Sequence, residues 1–176
     1  MASSSSSEVK TVRLRGSDGE TLEVPESAIT AASATIKAMI DEGRAAADGV
    51  VEIPNLTAAT LSPVVTYVNK HFGSGGANPA DDDYHSTFVP SDDDPLACFD
   101  HKLVSVDNDA LFDLIEAAEH LSIEKLLDLA CKAVAEQMRG RPLEEIRKTF
   151  NIVNDYTEEE EDEVRRENTW AFQSTV

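Results

Sequence analysis

A change of period constrains this chain most. Val12 and Leu14 alternate with polar neighbours over Thr11 to Arg15, and Leu22 and Val24 repeat the alternation after Ser17-Asp18-Gly19-Glu20. An apolar residue at every second position marks a strand with one covered face, so this segment predicts a β-hairpin with an Asp-Gly turn. Val50, Val51 and Ile53 form a β-branched run ended by Pro54, which suits a third strand. Elsewhere the apolar spacing is helical. Ile36, Met39 and Ile40 predict a short helix over Ser33 to Ile40, with Gly43 as its stop. Leu61, Val64, Val65 and Val68 predict another, running to His71-Phe72. Pro63 cannot donate an intrahelical hydrogen bond, so the expected start of that helix is at Ser62-Pro63.

After Phe72 the pattern stops. Gly73-Ser74-Gly75-Gly76, Asp81 to Asp83 and Asp92 to Asp94 offer little to a core and are expected to form a flexible acidic loop. Helical spacing resumes with Leu111, Leu114, Ile115 and Ala118, and Leu121 opens the turn into a further helix with Ser122 as its expected N-cap. In that helix Ile123, Leu126, Leu127, Ala130, Cys131 and Val134 make a wide apolar stripe that continues to Met138, and Gly140 is the expected stop. A short helix carrying Ile146 follows Pro142. The last starts at Thr157, where Thr157 and Glu160 fit a capping box and Glu158 to Glu161 suit the positive end of the helix dipole. The expected organisation is a leader over 1–8, a mixed α/β part over 9–72, the loop over 73–98, helices over 99–140 and C-terminal helices with a tail over 141–176.

Composition narrows the partners. Thirty-four acidic residues against 15 Lys and Arg leave a formal charge of −19, which repels phosphate backbones and anionic lipid, so neither nucleic acid nor a membrane is expected as a partner. Ser3 to Ser7 lack the basic and apolar regions of a secretory signal, and two cysteines, Cys98 and Cys131, suit a reducing compartment; nucleus and cytoplasm are the expected locations.

The chemistry-bearing motifs are incomplete. Cys98 and His101 have a C-x-x-H spacing without the second pair that a tetrahedral zinc site needs, and neither cysteine lies in a recognisable nucleophile motif. The aspartate runs lack the glycine and terminal glutamate of a calcium loop. Glu158 to Glu163 occupy successive helical positions, which point around a helix and do not converge on one substrate. No glycine-rich phosphate loop occurs. The expectation is a non-enzyme with no metal and no cofactor. What remains unusual is that Ile146, Phe150, Ile152, Val164 and Trp170 sit in short, highly charged segments too small to bury them. Two readings stand: these residues dock on the preceding helices, or they belong to a groove completed by another protein's helices.

Glu144-Glu145-Ile146-Arg147-Lys148-Thr149-Phe150-Asn151-Ile152 resembles the C-terminal signature of the S-phase-kinase-associated-protein adaptor family, the linkers of SCF ubiquitin ligases. Asn154-Asp155-Tyr156-Thr157-Glu158-Glu159-Glu160 and Val164-Arg165-Arg166-Glu167-Asn168-Thr169-Trp170 are similar to that family's ending, and Trp170-Ala171-Phe172 looks like its plant branch. Upstream, Ser17-Asp18-Gly19-Glu20, Thr35-Ile36-Lys37, Ile53-Pro54-Asn55, Leu111-Phe112-Asp113-Leu114 and Leu126-Leu127-Asp128-Leu129 stand in family order. The resemblance implies an α/β (α+β) BTB/POZ-type fold with a small N-terminal sheet and two appended C-terminal helices. It also implies a non-catalytic adaptor. Such an adaptor joins F-box proteins to the N-terminal domain of a cullin, which in turn carries a RING protein and a ubiquitin-conjugating enzyme.

Carried over by position, Leu127, Cys131, Val134, Ile146, Phe150, Ile152, Val164 and Trp170 resemble the apolar F-box surface, with Phe150 and Trp170 as its anchors. For Leu127 and Val134 core packing is the competing expectation. The cullin-facing pair departs from the pattern: Glu119-His120 stands where the family usually has Asn-Tyr. An added carboxylate and a titratable imidazole replace an amide and an aromatic anchor, which predicts weaker or more selective cullin binding. Milder departures are Phe99 in place of a tryptophan, Pro142-Leu143 in place of a Thr-Pro helix start, and Pro63 within a usual helix. The alternative function is therefore an F-box-binding chaperone or competitor with little cullin affinity.

Overall fold

The computed structural model describes residues 10–45, 48–73 and 94–172. β1 (Thr11–Arg15) and β2 (Thr21–Pro25) pair antiparallel, with Val12 opposite Val24 and Leu14 opposite Leu22. β3 (Val50–Glu52) lies parallel on the other edge of β1, giving the order β2-β1-β3. The alternating residues do what their period requires: Val12, Leu14 and Val24 are buried.

The hairpin connection, Gly16 to Glu20, is longer than a two-residue turn. Gly19 donates to the Gly16 carbonyl at 3.0 Å and has φ 80°, and Gly16 donates to the Glu20 carbonyl at 3.0 Å. The same loop touches the start of the third helix. Asp18 Oδ2 accepts from the Ala58 N–H at 2.9 Å, and a Cβ on Gly16 would lie 2.8 Å from that nitrogen and 2.9 Å from the Leu56 carbonyl oxygen. Only glycine allows so close an approach.

Two helices separate β2 from β3. α1 (Glu26–Ala32) follows Pro25 directly and was not expected, because its seven residues bury only Ala28 and Ile29 and give no helical stripe. α2 (Ala34–Asp41) is capped by Ser33, whose hydroxyl accepts from the Ile36 N–H at 3.0 Å.

α3 (Ala58–Phe72) corrects the expected start at Ser62-Pro63. Thr57 caps it, accepting from the Thr60 N–H, and the helix runs through Pro63. Pro63 removes one bond, to the carbonyl of the exposed Ala59, for about 3 kcal/mol. Leu61, Val64, Val65, Tyr67 and Val68 are buried along the same helix, and at roughly 1.5–3 kcal/mol for each aliphatic side chain that outweighs the loss. α3 packs on α1, β2, α4 (Pro95–Val104) and α5 (Asn108–His120).

α4 begins inside the stretch assigned to the acidic loop; the rest of that loop, 74–93, lies outside the described residues. Asp94 explains the early start, its carboxylate accepting from the Leu96 and Ala97 N–H groups with Pro95 in the first turn. α3 and α4 are joined by His71 Nε2 and Asp100 Oδ1 at 2.7 Å, with Tyr67 stacked on the imidazole at a centroid distance of 4.1 Å.

α5 is capped by Asp107, and α6 (Glu124–Met138) ends two residues before Gly140. Ser122 is not the N-cap of α6. It adopts φ 53° and closes α5: its N–H donates to the Glu119 carbonyl at 2.9 Å and the Ile123 N–H to the Ala118 carbonyl at 2.8 Å. This is a Schellman arrangement, and its hydrophobic pair, Ala118 and Ile123, is buried.

The chain divides after Gln137. The first unit holds the sheet, α1 to α5 and most of α6 around one core that includes Leu14, Ile29, Ile36, Leu61, Leu111, Leu114 and Leu126. The second holds α7 (Leu143–Thr149), α8 (Glu158–Glu167) and α9 (Thr169–Phe172).

Candidate partner-binding surfaces

Helix α6 carries two apolar stripes. Leu126, Leu129, Ala130 and Ala133 are buried in the core of the first unit. Leu127, Cys131 and Val134, spaced i, i+4, i+7, form the neighbouring stripe. Leu127 and Val134 are partly buried and pack against that core, while Cys131 is an exposed free thiol. Core packing, the competing expectation for Leu127 and Val134, is what the structure shows, with part of each side chain left exposed. Met138 ends α6 at 39% exposure.

In the second unit no residue of α7 or α8 is buried. Ile146, Phe150 and Val164 are half-buried, and Ile152 and Trp170 are exposed, Trp170 by 76%. Backbone geometry presents Ile152. Asn151 takes φ 52°, a left-handed conformation that asparagine tolerates better than most residues, and the Ile152 N–H returns to the Arg147 carbonyl at 2.8 Å. The chain therefore leaves α7 sharply, with Val153 82% exposed.

Charge links the helices of this unit. Arg147 Nη1 donates to Glu161 Oε1 at 3.2 Å, and Arg165 Nη2 lies 3.6 Å from both Glu161 and Glu144. The Arg147 hydrogen bond holds the Glu161 carboxyl below the ordinary glutamate range, against the effect of its desolvation. Thr157 and Glu160 complete the expected capping box, and the Thr157 backbone N–H, followed by its hydroxyl, lowers Glu160 likewise. Pro142 supplies no side-chain cap to α7, as its place in the sequence implied.

Glu119 and His120 are both exposed at the C-terminal end of α5. They precede the buried Leu121 and stand on the first unit. Among the described residues, no group of three or more His, Cys, Asp or Glu is placed to hold a metal ion. Phe112, 45% exposed, Val153 and Tyr156 are further exposed apolar residues that no sequence pattern singles out.

Two family profiles match this chain: the Skp1 family tetramerisation domain over residues 10–72 and the Skp1 family dimerisation domain over residues 124–171. The chain belongs to the Skp1 family. SKP1-like protein 4 of Arabidopsis thaliana is 46% identical over 164 residues, which cover 93% of this chain and 97% of that protein. SKP1-like protein 20 of Oryza sativa subsp. japonica is 45% identical over 168 residues, 92% of this chain and 94% of that protein. A fungal relative, the E3 ubiquitin ligase complex SCF subunit sconC of Arthroderma otae, is 39% identical over 160 residues, 91% and 93% of the two chains. The expected α/β POZ-type fold is thus that of a Skp1 family member. The dimerisation-domain match runs from the first residue of α6 into α9 and includes all eight apolar positions from Leu127 to Trp170, whereas Glu119 and His120 fall between the two matched stretches.

Proposed function

We propose that this Skp1 family chain is the adaptor of an SCF-type ubiquitin ligase, without catalysis of its own. An F-box protein engages the outer stripe of α6 and the apolar residues of α7 to α9. The cullin N-terminal domain meets Glu119-His120, and through it the RING protein and ubiquitin-conjugating enzyme are reached. The observation that carries this reading is the absence of any buried residue in α7 and α8, although these segments and the chain around them present Ile146, Phe150, Ile152, Val153, Val164 and Trp170. Such a segment gains little from folding on itself and much from a partner. The adaptor acts by position, raising the local concentration of substrate near the transferring enzyme. Nucleus and cytoplasm are the compartments proposed for it.

Calorimetric titration with a plant F-box protein tests the first contact. Leu127→Glu and Phe150→Ala are each expected to weaken binding by at least tenfold, about 1.4 kcal/mol. Unchanged affinity in both variants contradicts the assignment of this surface.

The second reading, an F-box-binding competitor outside the ligase, draws on Glu119-His120. Replacing the pair, Glu119→Asn with His120→Tyr, is expected to tighten cullin binding of the F-box-bound chain. Equal affinity before and after the replacement removes the idea that this pair limits cullin engagement.

A further inference from the structure

We infer that Ser33 is a positioning residue for the cullin-facing end of α5, acting through the backbone that follows Glu119-His120; the inference rests on the adaptor reading above. Ser33 is fully buried and lies 88 residues from its partner in sequence. Its hydroxyl works in both directions, accepting from the Ile36 N–H at 3.0 Å and donating to the Leu121 carbonyl at 2.5 Å. One atom therefore caps the start of α2 and satisfies a carbonyl at the end of α5. Helix-end carbonyls have no acceptor duty within the helix, so an outside donor fixes where they point.

A second hydroxyl repeats the tether one residue on. Thr35 Oγ1 and Ser122 Oγ are 2.9 Å apart. Ser122 holds φ 53°, a conformation that costs a serine energy and persists only where its surroundings impose it. Glu119 and His120 are the two residues before this doubly tethered pair, and the Glu119 carbonyl is itself bonded to the Ser122 N–H. The first turn of α2 thus sets the backbone from which both side chains project. A cap serving α2 alone would need only the acceptor half of Ser33; the donor half and the Thr35 contact both go to the corner.

The test uses the full chain bound to an F-box protein and a cullin N-terminal domain as titrant. Variants are Ser33→Ala, Thr35→Val, and each of these combined with Glu119→Ala/His120→Ala. Ser33→Ala, which removes two buried hydrogen bonds, is expected to weaken cullin binding roughly tenfold, and Thr35→Val, which removes one exposed contact, about threefold. F-box affinity, measured separately, stays within about twofold, and both cullin effects vanish in the Glu119→Ala/His120→Ala background, as coupling through those side chains requires. Cullin affinity unchanged in Ser33→Ala, an equal loss of F-box affinity, or a full effect persisting in the combined background each overturns the inference. If Ser33→Ala does not fold, Thr35→Val decides by the same criteria. A wild-type F-box complex that binds no cullin sinks the adaptor reading and the inference together, whereas wild-type binding with unaltered variants sinks only the inference.

Discussion

Trp170→Ala is expected to separate binding from folding. Trp170 is 76% exposed in the free protein. An indole-bearing side chain carries roughly 250 Å², so about 190 Å² of it is open to water. Covering that area at about 25 cal/mol per Å² sets an upper bound near 5 kcal/mol. Incomplete burial and the ordering of the side chain reduce it to the range of interface hot spots, about 2–4 kcal/mol, or roughly 30-fold to several-hundred-fold in affinity. The free chain loses almost nothing, within about 0.5 kcal/mol, because a side chain this exposed contributes little to the folded state. The assay pairs calorimetric titration of an F-box protein with denaturant unfolding of the unbound chain. An affinity change below about threefold refutes the anchor assignment. A fall in free-chain stability as large as the fall in affinity refutes the argument from exposure.

Other perturbations probe the fold and the second unit. Gly16→Ala places a Cβ within 2.9 Å of two backbone atoms, so the hairpin loop must part from the start of α3, and chemical denaturation should register a loss of about 2–4 kcal/mol; a loss under 1 kcal/mol contradicts the close approach. Thr157→Ala removes the hydroxyl half of the capping box and is expected to cost α8 about 1 kcal/mol, read as faster amide exchange at Glu160 and Glu161. Acid acts on the same helix. Glu160 and Glu161 are held below the ordinary glutamate range, so their contribution is present above that range and is lost as pH falls through their lowered values. Amide protection over Glu158–Glu167 should decline there, and protection that stays constant through that range contradicts the assigned hydrogen bonds.

Most of the fold could be read from the chain because its signals are local. The period-two runs around Val12 and Leu22 have one covered face, and the register of β1 against β2 follows from it. The capping box at Thr157 needs only four consecutive residues, and it formed as spaced. The misses share another cause. Pro63 read as a helix start because the rule against proline in a helix is local, whereas the burial of Leu61 to Val68 that overrides it depends on the elements packed against α3. Ser122 read as an N-cap because serine before an apolar run favours one, yet its role is set by the end of α5 and by Thr35 on α2. α4 started early because the last residue of an aspartate run, Asp94, is also a cap. The site divides along the same line. The proposed apolar positions from Leu127 to Trp170 rest on resemblance, and Ile146, Phe150, Ile152, Val164 and Trp170 also on their charged surroundings, while Ser33 and Thr35 carried no sign of their partners 88 and 87 residues away.

Bridging requires both partners to occupy this chain at once. The full chain is mixed with an F-box protein and a cullin N-terminal domain, and the mass of the resulting species is measured by light scattering after size exclusion. One species with the mass of a 1:1:1 complex is expected, in which F-box protein and cullin are held only through this chain. An F-box complex that remains binary at cullin concentrations tens of micromolar above it contradicts the adaptor and leaves the competitor.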